Sequence, residues 1–167
     1  MAQQPDEQQA RALAMQLGKS LKTTLQSAMK NGGPVAAIEA CNTSAPVIAE
    51  QISGESGWSV GRTSLKLRNR NNAPDAWEMA VLQQFEQRKA AGESPKTLEY
   101  SEVIEKDGVP SFRFMKAIPT AEVCLNCHGG AVKDEVAAKL DQLYPGDQAR
   151  GFQLGDLRGA FTLSKPL

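Results

Sequence analysis

Five consecutive residues, Cys124-Leu125-Asn126-Cys127-His128, constrain this chain more than any other feature in it. Two thiols separated by two residues sit close enough in a tight turn for each to add to a vinyl group of one porphyrin. The imidazole that follows then reaches the metal from the same side. This is the attachment pattern of a c-type haem, and it predicts one haem c held covalently by Cys124 and Cys127, with His128 on the iron. His128 is the single histidine, which excludes multi-histidine metal sites, bis-histidine haem ligation and any mechanism needing two imidazoles. Two other uses of the same residues compete. A structural zinc could take Cys124, Cys127, His128 and the distant Cys41. A redox dithiol of the thioredoxin kind needs a strand opening a βαβ unit just ahead of the cysteines, and the sequence offers none. Gly129-Gly130, directly after the histidine, suits the close backbone approach of a tethered porphyrin.

Covalent haem attachment implies maturation outside the cytoplasm, so a periplasmic or otherwise extracytoplasmic location is expected. Met1 to Glu7 is polar and shows no secretory signal, as in a chain numbered from its mature start. With 19 Lys+Arg against 19 Asp+Glu the formal net charge is zero. No long-range field attracts nucleic acid or an anionic membrane, and a general nucleic-acid binder is excluded. No stretch approaches the ~20 apolar residues of a membrane span.

The residue opposite His128 is less constrained. The five methionines stand at 1, 15, 29, 79 and 115, all before the motif, whereas small cytochromes c place their axial methionine after it. Met, Cys, Lys, an N-terminal amine, water or no ligand at all remain. Cys41 is the odd cysteine of the chain, and a leftover cysteine in an exported protein is an intermolecular bridge or a thiol with a task. Ile38, Cys41, Ala45, Ile48 and Ile52 step by three and four and predict one buried stripe of a helix that Pro34 can open. Pro46 is expected to kink or break that helix one turn after Cys41, freeing the Asn42 carbonyl. A ligand thiol and an inert core thiol both satisfy this pattern.

Leu13, Leu17, Leu21, Leu25 and Met29 recur every four residues and predict a long amphipathic helix over 6–31, ended by Asn31-Gly32-Gly33. Such a helix can pack on its own sheet or pair with a partner helix in a homodimer. The chain thus divides into an N-terminal helix, 1–31, and a haem-binding part, 32–167, together one structural domain. Trp58 to Leu67 predicts a strand, and Pro74 to Ala91 a helix opened by Asn72 or Pro74. Thr97 to Glu105 and Ser111 to Ala117 alternate about Lys106-Asp107-Gly108 and predict a hairpin. A short helix over Lys133 to Leu140 and a closing strand over Gly159 to Ser164 complete an α+β fold, an antiparallel sheet with helices on one side.

Arg62, Lys66, Arg68 and Arg70 are two or four residues apart and share one side if the strand runs that far. Haem carries two propionates, which guanidinium groups bind well, and Arg62 and Arg68 are the candidate partners; a solvated edge strand is the plainer alternative. Trp58, Trp77, Phe112, Phe114, Met115 and Phe161 could line a porphyrin or simply fill a core.

Four segments carry a family resemblance: Val35-Ala36-Ala37-Ile38-Glu39-Ala40-Cys41-Asn42; Val60 to Asn69 with Asn72-Ala73-Pro74-Asp75-Ala76-Trp77-Glu78; Cys124 to Gly129; and Gly155-Asp156-Leu157-Arg158-Gly159-Ala160-Phe161. Over about residues 10–165 the chain resembles the single-haem c-type domains of PAS-like fold that occur alone in the periplasm or as extracytoplasmic inputs of sensor histidine kinases. The resemblance implies a PAS-like sheet with a long N-terminal helix, and Cys41 as axial thiolate opposite His128. It implies a redox or diatomic-gas sensor acting on a signalling protein, the alternative being a low-potential electron carrier with an unknown redox partner. An enzyme is not expected, since no second histidine is available to handle protons.

Overall fold

The computed structural model describes residues 3–68, 70–121 and 125–167. It has an α+β fold: a long N-terminal helical element and a four-stranded antiparallel sheet with further helices. Helix α1 (Gln3–Ser56) precedes β1 (Ser59–Thr63), α2 (Ala76–Ala90), the hairpin strands β2 (Glu99–Lys106) and β3 (Val109–Pro119), the short α3 (Leu125–His128), α4 (Asp134–Leu143) and β4 (Leu157–Pro166). The strand order is β1-β4-β3-β2.

α1 is two helices joined at Gly33, whose φ of 76° and ψ of −167° interrupt the helical backbone. Only glycine adopts that combination readily, so the expected end of the first helix lies at the Asn31-Gly32-Gly33 signal and Pro34 opens the second half. Ala10, Ala14 and Leu17 of the first half share one buried cluster with Ile52 of the second and with Trp58, Val60, Phe112, Phe114 and Leu163. Leu17 therefore faces the protein's own sheet, with Leu13 and Leu21 at the cluster's margin, while Leu25 and Met29 lie outside it. Pro46 does not break the helix, because helical dihedrals are interrupted only at Gly33. Pro46 is exposed, where the carbonyl it leaves unbonded can turn to water.

The hairpin turns at Asp107 and Gly108, both with positive φ (54° and 78°), the two-residue geometry that matches strand twist. Phe112 and Phe114 point to α1, while Met115 and Ala117, of opposite parity on β3, pack with Val81, Leu82 and Phe85 of α2. Helices consequently cover both faces of the sheet rather than one. α2 starts later than expected: Asp75 is its cap, accepting from the Glu78 amide while the Glu78 carboxylate accepts from the Asp75 amide, a reciprocal capping box. β1 stops at Thr63, short of the expected Leu67, because the Thr63 hydroxyl donates to the Asn72 carbonyl and the Ser64 hydroxyl to that of Arg158. These bonds turn the chain out of the sheet. β4, by contrast, extends beyond Gly159–Ser164 at both ends.

The two glycines of α1 with open space around them separate backbone effects from packing. A Cβ at Gly33 or Gly54 meets nothing within 4 Å. Gly33→Ala is expected to cost about 1–3 kcal/mol through the dihedral alone, whereas Gly54→Ala, inside regular helix, should stabilise by about 0.5–1 kcal/mol. Denaturant unfolding of the two variants checks both signs.

Candidate functional site

α3 brings Cys127 and His128 onto one turn of helix; Cys124 lies outside the described residues. The loop from Tyr144 to Phe152 docks on this turn through its backbone. The Phe152 amide donates to the His128 carbonyl (2.8 Å), the Gly151 amide to the Gly129 carbonyl (3.1 Å), and Gly129 and Phe152 form a parallel bridge. A Cβ on Gly129 would lie 2.6 Å from the Leu125 carbonyl oxygen, so glycine is required there by its own helical turn.

The loop is organised by Asp147. Its carboxylate, with only 1% of the side chain exposed, accepts from the Ala149 amide (3.0 Å), from Arg68 Nε and Nη2 (3.1 and 3.2 Å) and from Arg150 Nε (2.9 Å). Burial works to raise its pKa, but the donors from Arg68, Ala149 and Arg150 outweigh it and hold the carboxyl below its ordinary value. Arg68 then donates Nη2 to the carbonyls of Cys127 and Ala149, tying motif and loop together.

His128 Nδ1 lies 2.7 Å from the Ala149 carbonyl oxygen. That oxygen can only accept, so Nδ1 carries the proton and Nε2 keeps its lone pair. Arg158 Nε donates to Nε2 at 3.4 Å. Burial, reinforced by the charges of Arg158 and Arg68, pushes the pKa of His128 down to about 2. It is a neutral base, the form that binds a metal. Phe152 meets the imidazole edge-on at 6.1 Å between centroids.

Cys41 reaches the same region from α1. One turn before it, Ile38 is buried with Val136 and Leu140 of α4, with Cys127 and Tyr144 at the edge of that cluster. Glu39 pairs with Lys139 of α4 at 2.7 Å. The Cys41 thiol is raised by burial and drawn down by Arg62 and Arg68. Arg62 comes from the face of β1 that carries Val60 and is turned toward α1. Burial lowers its pKa while Cys41 and Tyr144 raise it, and no described residue forms a hydrogen bond or ion pair with its side chain.

The structure thus brings Cys41, Arg62, Arg68, Cys127 and His128 together, but it divides the cationic cluster. Lys66 turns to the Arg150 carbonyl and the Phe152 ring, 4.7 Å from the ring centroid. Arg70 lies by Gly146. With β1 ending at Thr63, these side chains do not share one strand face. Trp58, Phe112, Phe114, Phe161, Met115 and Trp77 all belong to the two sheet-face cores, and Met15 and Met79 are exposed. Phe152, Asp147, the Ala149 carbonyl and Arg158 were not singled out by the sequence. The Tyr144-Pro145-Gly146-Asp147 turn, with Asp147 accepting from the amide two residues on, was the available signal.

The residues suit a porphyrin better than a bare divalent ion. No three His, Cys, Asp or Glu side chains among the described residues gather as a metal cage, and Arg62, Arg68 and Arg158 bring positive charge to Cys41 and to the neutral imidazole of His128. That charge opposes a small cation and favours a group bearing its own carboxylates. The sequence matches the Tll0287-like family over residues 2–166. The chain belongs to that family. Its fold is shared with a solved structure described as the cyanobacterial heme-protein Tll0287, at 24% identity, a TM-score of 0.68 and 91% coverage of each chain. Among curated proteins no match is found. For this Tll0287-like chain the described residues contain no helix long and apolar enough to cross a membrane.

Removing the loop's anchor should be costly. Asp147→Ala leaves Arg68 as a buried charge without its carboxylate and is expected to destabilise by about 3–5 kcal/mol. Because the folded carboxyl is held low, its contribution is complete above the unfolded value of about 3.9 and is lost as pH falls through the folded one. Denaturant unfolding at pH 7 and pH 3 should show a large difference between wild type and Asp147→Ala at the first and a smaller one at the second.

Proposed function

We propose that this protein is an exported c-type haem protein of redox or small-gas sensing function. Cys124 and Cys127 would hold one haem covalently, and Cys41 and His128 would offer its iron a thiolate and an imidazole. The observation that carries the reading is the convergence on Arg68. This one guanidinium contacts the backbone of Cys127, shares the carbonyl that holds His128, and acts electrostatically on Cys41, which comes from a helix at the other end of the sequence. The fold shared with a cyanobacterial heme-protein and the five-residue attachment pattern support the same conclusion.

A bound haem supplies a one-electron couple and, when a ligand leaves, an open coordination position. His128 presents Nε2 with its tautomer already fixed by Ala149. Cys41 would serve as a thiolate, and Arg62, which faces Cys41 and Tyr144 and has no hydrogen bond or ion pair among the described residues, is the cation for a propionate or for the sulfur. Arg68 spends Nε and Nη2 on Asp147 and two carbonyls, so these groups clamp the loop, and its Nη1 is the part left for a propionate. A thiolate holds ferric iron more firmly than ferrous iron, since reduction removes one positive charge. With haem bound, Cys41 would be held less firmly by reduced iron, and the helix bearing it would then be free to give up that position to a diatomic gas. A few kcal/mol between the two states is enough for such a switch. α1 carries Cys41 and rests on the sheet, so it is the element through which a signalling partner is informed. The site offers no free imidazole for acid–base chemistry, and we assign no catalytic activity.

The polypeptide should carry haem through a denaturing gel and acid–acetone extraction; a colourless protein with stoichiometric zinc overturns the reading. Cys41→Ser should abolish the sulfur-to-iron charge-transfer bands and raise the reduction potential. An unchanged ferric spectrum removes Cys41 from the iron. Ferrous protein that stays six-coordinate and refuses carbon monoxide leaves the low-potential electron carrier as the better function.

A further inference from the structure

The Ala149 carbonyl oxygen receives two donors, His128 Nδ1 at 2.7 Å and Arg68 Nη2 at 3.0 Å. It has two lone pairs, and a charged donor on one withdraws density from the other. The stronger the hydrogen bond from Nδ1, the more anionic the imidazole and the better a donor Nε2 becomes. We propose that Arg68, held by Asp147, is a positioning residue that sets the donor strength of His128 by competing for this carbonyl.

The arrangement makes the competition a built feature. Arg68 is 11% exposed and its carboxylate partner 1%, so neither moves freely. Asp147 holds Nε and, at the longer distance of 3.2 Å, shares Nη2, whose two N–H groups are divided among that carboxylate and the carbonyls of Cys127 and Ala149. Asp147 also accepts from the Ala149 amide, fixing from the other side the peptide whose oxygen is shared. Arg150 binds the same carboxylate but continues to Asp141 at the surface, so among the described residues it adds charge near the site without a hydrogen bond to the Ala149 carbonyl. The inference rests on the haem reading for its electrochemical consequence, though the shared carbonyl itself belongs to the polypeptide.

The test compares Arg68→Lys, Arg68→Gln and Arg150→Gln in the haem-loaded protein. Lysine keeps the charge but lacks the planar fork that reaches the Asp147 carboxylate and the Ala149 carbonyl at once. Because His128 is the single histidine, labelling with nitrogen-15 histidine marks one imidazole. Both Arg68 variants should move its Nδ1–H proton resonance downfield in the diamagnetic ferrous protein and lower the reduction potential, whereas Arg150→Gln should leave the resonance in place. If Arg68→Lys leaves both readouts unchanged, or if Arg150→Gln reproduces both effects of Arg68→Gln, Arg68 acts only as charge or scaffold and the proposal is overturned. Should Arg68→Gln not mature, Arg68→Lys decides. The same resonance is also followed in haem-free polypeptide, so a chain without haem defeats the functional reading while an unmoved resonance defeats this one.

Discussion

The Asp147 carboxylate gathers Arg68, Arg150 and the Ala149 amide around itself while almost entirely withdrawn from water. A buried ion pair of this kind contributes little net stability against an apolar replacement, yet removing one partner is expensive because the other is left charged and dry. Its value is geometric. With the pair in place, the Ala149 carbonyl has one position, His128 has one tautomer, and the α3 turn has one orientation relative to the loop.

The second requirement is that α1 reach the site while also covering the sheet. A straight helix of that length could not do both. The break at Gly33 lets Ala10, Ala14 and Leu17 lie on the same face as Ile52, and it leaves Ile38 and Cys41 to meet α4 and the α3 turn. The sheet's other face is closed by α2, anchored through Phe85 and the Asp75 capping box. Both sheet faces are therefore spent on packing, and the candidate site forms at the end of the sheet where β1 gives way to its loop.

Local signals carried most of what the sequence disclosed. The Asp107-Gly108 hairpin and the Gly33 helix end each rely on neighbouring residues, whose chemistry does not wait on tertiary structure. The strand expected to run to Leu67 failed on long-range bonds from Thr63 and Ser64, and α2's start was misplaced because Asp75 and Glu78 cap each other. Helices on both sheet faces could not be seen, since alternation on β3 shows two apolar parities without saying what covers each. The Ala149 carbonyl had no sequence signature at all: a backbone oxygen is identical at every residue, and only the fold selects it. Arg158 stood within a segment already noticed, but its position at His128 Nε2 depends on β4 beginning at Leu157.

Covering both faces leaves the sheet only two edges through which it could grow. At one, β1 is a short strand of five residues that soon bends away into the loop toward the α3 turn. At the other, β2 runs Glu99-Tyr100-Ser101-Glu102-Val103-Ile104-Glu105-Lys106, with Glu102 and Glu105 exposed. A second strand arriving there would have to desolvate those carboxylates, and short or charged edges are how sheets resist unwanted extension. The fold is thereby guarded against edge-to-edge polymerisation.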